Sequence, residues 1–348
     1  MIRILNIGAS FLVKALQSMG NDVFSVGIDR GLNLTTDHPF YAARLLAKVQ
    51  SLGFQADVLL YCDQGNLPLI LDPEELTIPS IWYSIDTYCN PWHMAYGHGF
   101  DASLVAQKDF VELFTREGLD AAWFPLFCQS ELVPNASQSL ERDVPVAFVG
   151  TVGHKNNPQR GPFLEAFRRL APLVIFHGEF VPLFSRSKIV LNQTAFSEVN
   201  FRCFEAMACG AALLMERCGN GLEDMFSQDQ ILPTYPRNDA RAAAQIALQA
   251  LADPQRLARI ASAGQKEVLN RHTDRHRAQS LMELITRLLT EKTSQRSALR
   301  AERRPFVRAA FGMLSAELTS GKETINASSL KSPGDISPKW ARETKDAA

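Results

Sequence analysis

The chain has 348 residues, 46% of them hydrophobic and 21% charged, which suits two ordinary globular domains that each bury their own core. With 36 basic and 37 acidic side chains the formal charge is −1, so no global field draws the chain to nucleic acid. No apolar run reaches the length of a membrane span, and the six cysteines contain no C-x-x-C pair and read as reduced, buried small hydrophobes.

The opening, MIRILNIGASFLV, suits a first strand better than a signal peptide, and the cytoplasm is the expected location. Ile2 to Ile7 is a short apolar run, followed by Gly8-Ala9-Ser10, an amphipathic segment to about Met19 and a second strand, Asp22 to Val26. This is a β-α-β opening without the full G-x-G-x-x-G, so a tight turn chosen for packing explains Gly8 and Ser10 as well as a ligand contact does. Pro39 to Leu52 has helical spacing, and Ala56 to Tyr61 is a buried strand ending at Cys62-Asp63. Strand Ser80 to Ile85 delivers Asp86 into the aromatic loop TYCNPWHMAYGHGFD. Ligands collect at the ends of parallel strands, which makes Asp86 a candidate general base on the acceptor side; an N-cap or Asx-turn role fits it equally. His93 and His98 have no third ligand at a recognisable spacing, are expected to be solvated loop histidines, and no metal is assigned. Leu104 to Gln107 and Ala122 to Leu126 complete the strands, with a helix Asp109 to Glu117 between them, and the polar stretch Cys128 to Asp143 reads as a linker.

The pattern restarts with strand Val144 to Val149, a loop containing Gly150, Thr151 and Lys155, Arg160, and a helix from about Pro162 to Leu170. The glycines let backbone approach a ligand, and Lys155 and Arg160 can neutralise a diphosphate; a solvated basic loop is the plainer reading. Strand Leu173 to Phe176 ends at His177-Gly178, and Ser187 to Asn192 is another strand. It leads to SEVNFRCFEAMACGAALLM, read as a polar loop Glu198 to Arg202, a short helix Cys203 to Cys209 stopped by Gly210, and a buried strand Ala211 to Met215. Glu205 is expected in the first turn of that helix, where the free N–H groups can also hold a phosphate. Glu205 can then accept from both ribose hydroxyls while Arg202 and the N–H groups take the diphosphate. A surface Glu before a packing segment gives the same pattern. Further helices follow at Asp239 to Leu251 and Pro254 to Leu269, and Thr273-Asp274 can cap another that runs to about Leu289. His272 and His276 are four apart, but without an H-E-x-x-H glutamate they read as capping or surface groups.

FEAMACGAALL resembles the motif with which GT-B glycosyltransferases hold the ribose of a nucleotide-sugar donor. The longer NFRCFEAMACGA is similar to the subgroup that shares a C-terminal domain with spore-maturation-type glycosyltransferases. The resemblance implies an α/β protein of two doubly wound Rossmann-like domains facing a cleft, residues 1–130 on the acceptor side and 141–291 on the donor side. It places Gly8 and Ser10 toward the acceptor, and Gly150, Thr151, Lys155 and Arg160 toward the phosphates. Gly178 falls near the base, and Asn200, Arg202 and Glu205 fall around the ribose and diphosphate. It implies a metal-independent transferase with no cofactor beyond the nucleotide-sugar, acting on a glycan, lipid or protein hydroxyl. One departure stands out: the retaining pattern has a Glu where this chain has Ser197, with Glu198 next to it as the catalytic candidate. A sugar-nucleotide epimerase of the same fold and a non-catalytic nucleotide- or partner-binding module are the rival readings.

The segment 292–318 is basic and amphipathic: from Lys292 to Arg308 there are six basic residues against one acid, then Phe306, Val307, Ala310, Phe311 and Leu314 at helical spacing. It fits a helix on the inner face of an anionic membrane, a crossover helix returning to the first domain, or a partner-binding segment. The composition of 319–348 predicts disorder.

Overall fold

The computed structural model describes residues 1–134, 141–153, 156–291 and 293–323. Its first half is a sheet of β1 (Arg3–Gly8), β2 (Asp22–Gly27), β3 (Leu34–Thr35), β4 (Val58–Cys62), β5 (Ser80–Ser84), β6 (Ala102–Val105) and β7 (Ala121–Trp123). The strand order is β3-β2-β1-β4-β5-β6-β7 and every pairing is parallel. Helices α1 (Val13–Ser18), α2 (Ala42–Ser51), α3 (Trp92–Gly97) and α4 (Lys108–Arg116) connect and cover it. Parallel strands covered on both faces must be apolar throughout, as in β4, where all of VLLYC is buried. The chain runs outward from β1 in both directions, which opens a crevice beyond the ends of β1 and β4.

The second sheet has the order β11-β10-β8-β9, also parallel, from β8 (Val144–Val149), β9 (Val174–Phe176), β10 (Ser187–Asn192) and β11 (Ala212–Met215). Around it lie α5 (Arg160–Arg168), α6 (Val181–Phe184), α7 (Phe201–Ala208), α8 (Leu222–Met225), α9 (Ala240–Ala252) and α10 (Pro254–Arg271). One buried apolar cluster runs from Leu12 and Leu16 of the first domain to Val190 and Phe204 of the second, and separate clusters fill the far side of each sheet.

The domain boundary differs from the expected one at residue 291. The chain crosses back at Thr273, which forms a parallel bridge with Cys128 of the first crossing. Arg277 locks the two crossings together by donating to Pro125 O at 2.7 Å and Leu126 O at 3.3 Å. Helix α11 (Asp274–Thr290) then buries Ala278, Leu281, Ile285 and Leu288 in the cluster that holds Leu12 and Leu16, and Arg287 pairs with Asp120 at 2.6 Å. Its start carries a capping box between Thr273 and His276, the capping role expected there.

Helix α12 (Thr293–Glu323) returns to the first domain, the crossover arrangement among the three readings. Ala310 and Leu314 join the apolar cluster of Tyr96 and Phe100, Val307 is also buried, and Phe306 stacks on His98 at 3.9 Å. Arg303 lies 3.6 Å from Asp101 and Arg304 pairs with Glu74 and Glu75. Val307, Ala310 and Leu314 of the apolar stripe that suggested a membrane surface are therefore covered by protein, and the helix continues to Glu323. Residues 324–348 lie outside the described part. Among the described residues no helix is long and apolar enough to cross a membrane.

His93 and His98 are not solvated. Both are buried, and His93 sits edge-on to Trp82 and Trp92 with Nδ1 2.9 Å from Ser84 Oγ. Burial depresses its pKa to about 4.

Candidate active site

Three second-domain groups converge at the end of β8. Arg202, the second residue of α7, donates from Nε to Val149 O at 2.9 Å and from Nη1 to Asn192 Oδ1 at 2.8 Å. Arg160, the first residue of α5, donates to Gln193 Oε1 at 3.0 Å and to Thr151 O at 3.0 Å. Both guanidinium groups lie over the ring of Phe148, at 4.6 and 5.5 Å from its centroid. Burial and the neighbouring Arg160 depress the Arg202 pKa to about 10, which leaves it charged at neutral pH. A Cβ on Gly150 would lie 2.4 Å from Arg202 Nη2, so the third nitrogen of that guanidinium faces backbone that only glycine leaves open.

Helix α7 begins without a side-chain cap. Its N-cap, Asn200, is paired instead with Asn192 at 3.0 Å, so the first N–H groups of the helix have no side-chain acceptor. Glu205 is the fifth residue of α7, not in its first turn as expected, because the helix begins at Phe201. Its carboxyl has no hydrogen bond or ion pair among the described residues. Burial raises its pKa to about 7, with Arg202 opposing the shift. Thr151 and Gly178 are exposed in neighbouring loops, where Thr151 Oγ1 approaches His177 Nε2 at 3.4 Å, and Lys155 lies outside the described residues.

The facing wall comes from the first domain. A cleft of ≈ 350 Å³ is lined by Ser10, Asp29, Asp63 and Asp86, and on the second-domain side by Asn200 and Phe201. Gly8 does not line it. A Cβ there would lie 2.1 Å from Cys62 O, and its φ of +82° is one that other residues rarely adopt, so Gly8 serves the close approach of the end of β1 to β4. Asp86 accepts from Tyr88 Oη at 2.8 Å through Oδ1, and its side chain makes no cap bond to the turn that follows. Burial, the nearby Asp63 and the charge of Glu198 raise its pKa to about 6, against the Tyr88 hydrogen bond. Asp63 is buried and accepts from Gly65 N at 2.9 Å and Asp86 N at 2.9 Å, which holds the Asp86 backbone in place.

Glu198, the catalytic candidate beside Ser197, is committed to its own loop. Its two oxygens accept from Ala195 N at 3.1 Å and Phe196 N at 2.7 Å, and Ser197 takes a φ of 62° between them. The sequence reading missed several positioning groups. Gln107 exchanges two 3.0 Å hydrogen bonds with the backbone of Val199 across the domains, and Glu216 accepts from Thr194 Oγ1 at 2.7 Å and Asn238 N at 2.8 Å. Asp63 had one visible signal, its place at a strand end. Gln107 had none, because its partner is 92 residues away.

Residues 132–283 match the family model described as glycosyl transferase-like. The chain superposes on HepE of Anabaena, solved with UDP and glucose, with a TM-score of 0.62 at 12% identity over 83% of this chain and 100% of that one. Sucrose-phosphate synthase of Thermosynechococcus elongatus gives 0.60 at 13% identity over 83% and 99%. The T4 phage protein BGT, solved with UDP-glucose, gives 0.53 at 12% over 83% and 99%. A comparison with curated proteins finds no match. The architecture is that of the GT-B glycosyltransferases, two parallel-sheet domains about a cleft. Residues 132–283 are the part of it that is similar to the glycosyl transferase-like family.

Proposed function

We propose that this protein is a glycosyltransferase that moves a sugar from a nucleotide-sugar, held by the second domain, to an acceptor hydroxyl presented by the first. One juxtaposition carries the reading: Asp86, with Oδ1 bonded to Tyr88 and Oδ2 without a donor among the described residues, lines the same cleft as the uncapped start of α7. An acceptor hydroxyl gives its proton to Asp86 as its oxygen attacks the anomeric carbon, and the bond from that carbon to the diphosphate breaks. The departing charge is met by the α7 N–H groups and by Arg202 and Arg160, which are fixed beforehand by their bonds to β8, β10 and the loops around them. Glu205, one turn further along α7, is the acceptor for the ribose hydroxyls. No cofactor beyond the donor enters this scheme.

UDP-hexoses are the donors to test first, because HepE and BGT were solved with UDP-glucose or UDP and glucose. The expected result is UDP release that depends on an added acceptor pool. Donor conversion without acceptor supports the epimerase, and UDP binding without any turnover supports the binding module. A base works only when ionised, so the transfer rate is expected to rise with pH through about 6. Asp86→Asn is expected to lower kcat by roughly 10²–10⁴ with UDP affinity unchanged by calorimetry. An unaltered pH profile in that variant removes Asp86 from the chemistry.

A further inference from the structure

We infer that the acceptor seated in this cleft is an uncharged carbohydrate, and that the aspartates of the first-domain wall exclude acceptors carrying phosphate. The inference rests on the glycosyltransferase reading and adds the chemistry of the second substrate.

Asp29, Asp63 and Asp86 all line the cleft, and no Lys, Arg or His is among its described lining residues. The cations of the site, Arg160 and Arg202, are held around Phe148 on the second-domain side. A phosphate brought against the acceptor wall meets like charge with no counter-charge among the described lining residues, whereas a neutral ring does not.

An independent observation is Gln64, which lines the same cleft. Both polar atoms of its amide are shielded from solvent and have no hydrogen-bond partner among the described residues. An unpaired buried amide is costly, and on turning into the cleft it finds in a ligand with adjacent hydroxyls both the acceptor and the donor it lacks. Asp86 Oδ2 offers a further acceptor to such a ring. Phe11, Tyr88 and Phe201 add flat apolar faces suited to the C–H faces of a sugar. A lipid chain would leave Gln64 unsatisfied.

The test is saturation-transfer NMR on the UDP-saturated full chain. The ligands are maltose, cellobiose, lactose and chitobiose, then glucose, galactose and mannose 6-phosphates, and a lysine-rich serine peptide. At least one neutral disaccharide is expected to bind, with no signal from the sugar phosphates. Asp29 is exposed and tolerates replacement, so Asp29→Lys is expected to admit a sugar phosphate at least ~5-fold more tightly. Gln64→Ala is expected to weaken the neutral sugar by about tenfold. Binding of a sugar phosphate to the parent as tight as that of the neutral disaccharides overturns the inference. So does binding of the peptide alone, or of no neutral sugar. UDP affinity is measured in the same samples: its absence counts against the transferase reading, whereas intact UDP binding with no sugar selectivity counts against this inference alone.

Discussion

Glu205, the proposed acceptor for the ribose hydroxyls, carries a visible cost. A carboxyl with a folded-state pKa of about 7, raised by burial, binds more protons folded than unfolded between its ordinary value of 4.5 and 7. Stability therefore falls as pH rises through that window, and the penalty is fully present above about pH 7. Glu205→Gln removes the charge and keeps the shape. Its Tm is expected to match the parent near pH 4 and exceed it at pH 8, by the equivalent of roughly 3 kcal/mol. The same variant is expected to bind UDP more weakly by about 1–3 kcal/mol, read by calorimetry. A variant that is more stable and binds UDP as well as the parent would end the ribose assignment. The type of this residue was legible in the sequence beside a Cys/Ala/Gly packing segment, but its lack of a partner was not. That depends on which way α7 faces, and the commitment of Glu198 depends on the path of the loop before it.

At the scale of elements, two glycines that look alike in sequence do different work. Gly8 closes β1 against β4, and a methyl there would lie 2.1 Å from the backbone oxygen of Cys62. Gly150 follows β8, and a methyl there meets the end of the Arg202 side chain at 2.4 Å and the edge of the Phe148 ring at 3.3 Å. Gly8→Ala is expected to cost more than about 2 kcal/mol of stability, because strand backbone must move. Gly150→Ala is expected to cost less stability, although its φ of +155° adds strain, and to weaken UDP more than uridine by shifting the guanidinium. Denaturant melts and paired calorimetry separate the two, and equal loss of UDP and uridine in Gly150→Ala would deny Arg202 a diphosphate role. Strands and helices of both domains were readable from apolar runs and helical spacing, usually within a few residues. The start of α7 was misplaced by two, because Phe201 and Arg202 look like loop residues until Asn200 is seen to be its N-cap.

At the scale of the molecule, the chain crosses between domains twice and finishes on the first. Helix α12 places Val307, Ala310 and Leu314 against the first domain, with Ala310 and Leu314 in the cluster of Tyr96 and Phe100. Ending the chain at residue 291 uncovers that surface. The expected loss is on the order of 3–5 kcal/mol, with increased aggregation, read by urea melts and light scattering. An equally stable, monomeric truncation would show that the helix is only loosely held.

The sequence alone determined the fold class, the strand and helix periods, and the motif around Glu205, because these depend on neighbours within one element or one turn. Only the tertiary structure decided that α11 and α12 belong to the first domain, that His93 is buried, that Glu198 is spent on its own loop, and that Asp63 and Gln107 shape the site. Each of these depends on contacts between residues far apart in the chain, or on the direction a loop takes once both sheets are packed. A single sequence records residue types and spacing, but not which distant surface each one meets.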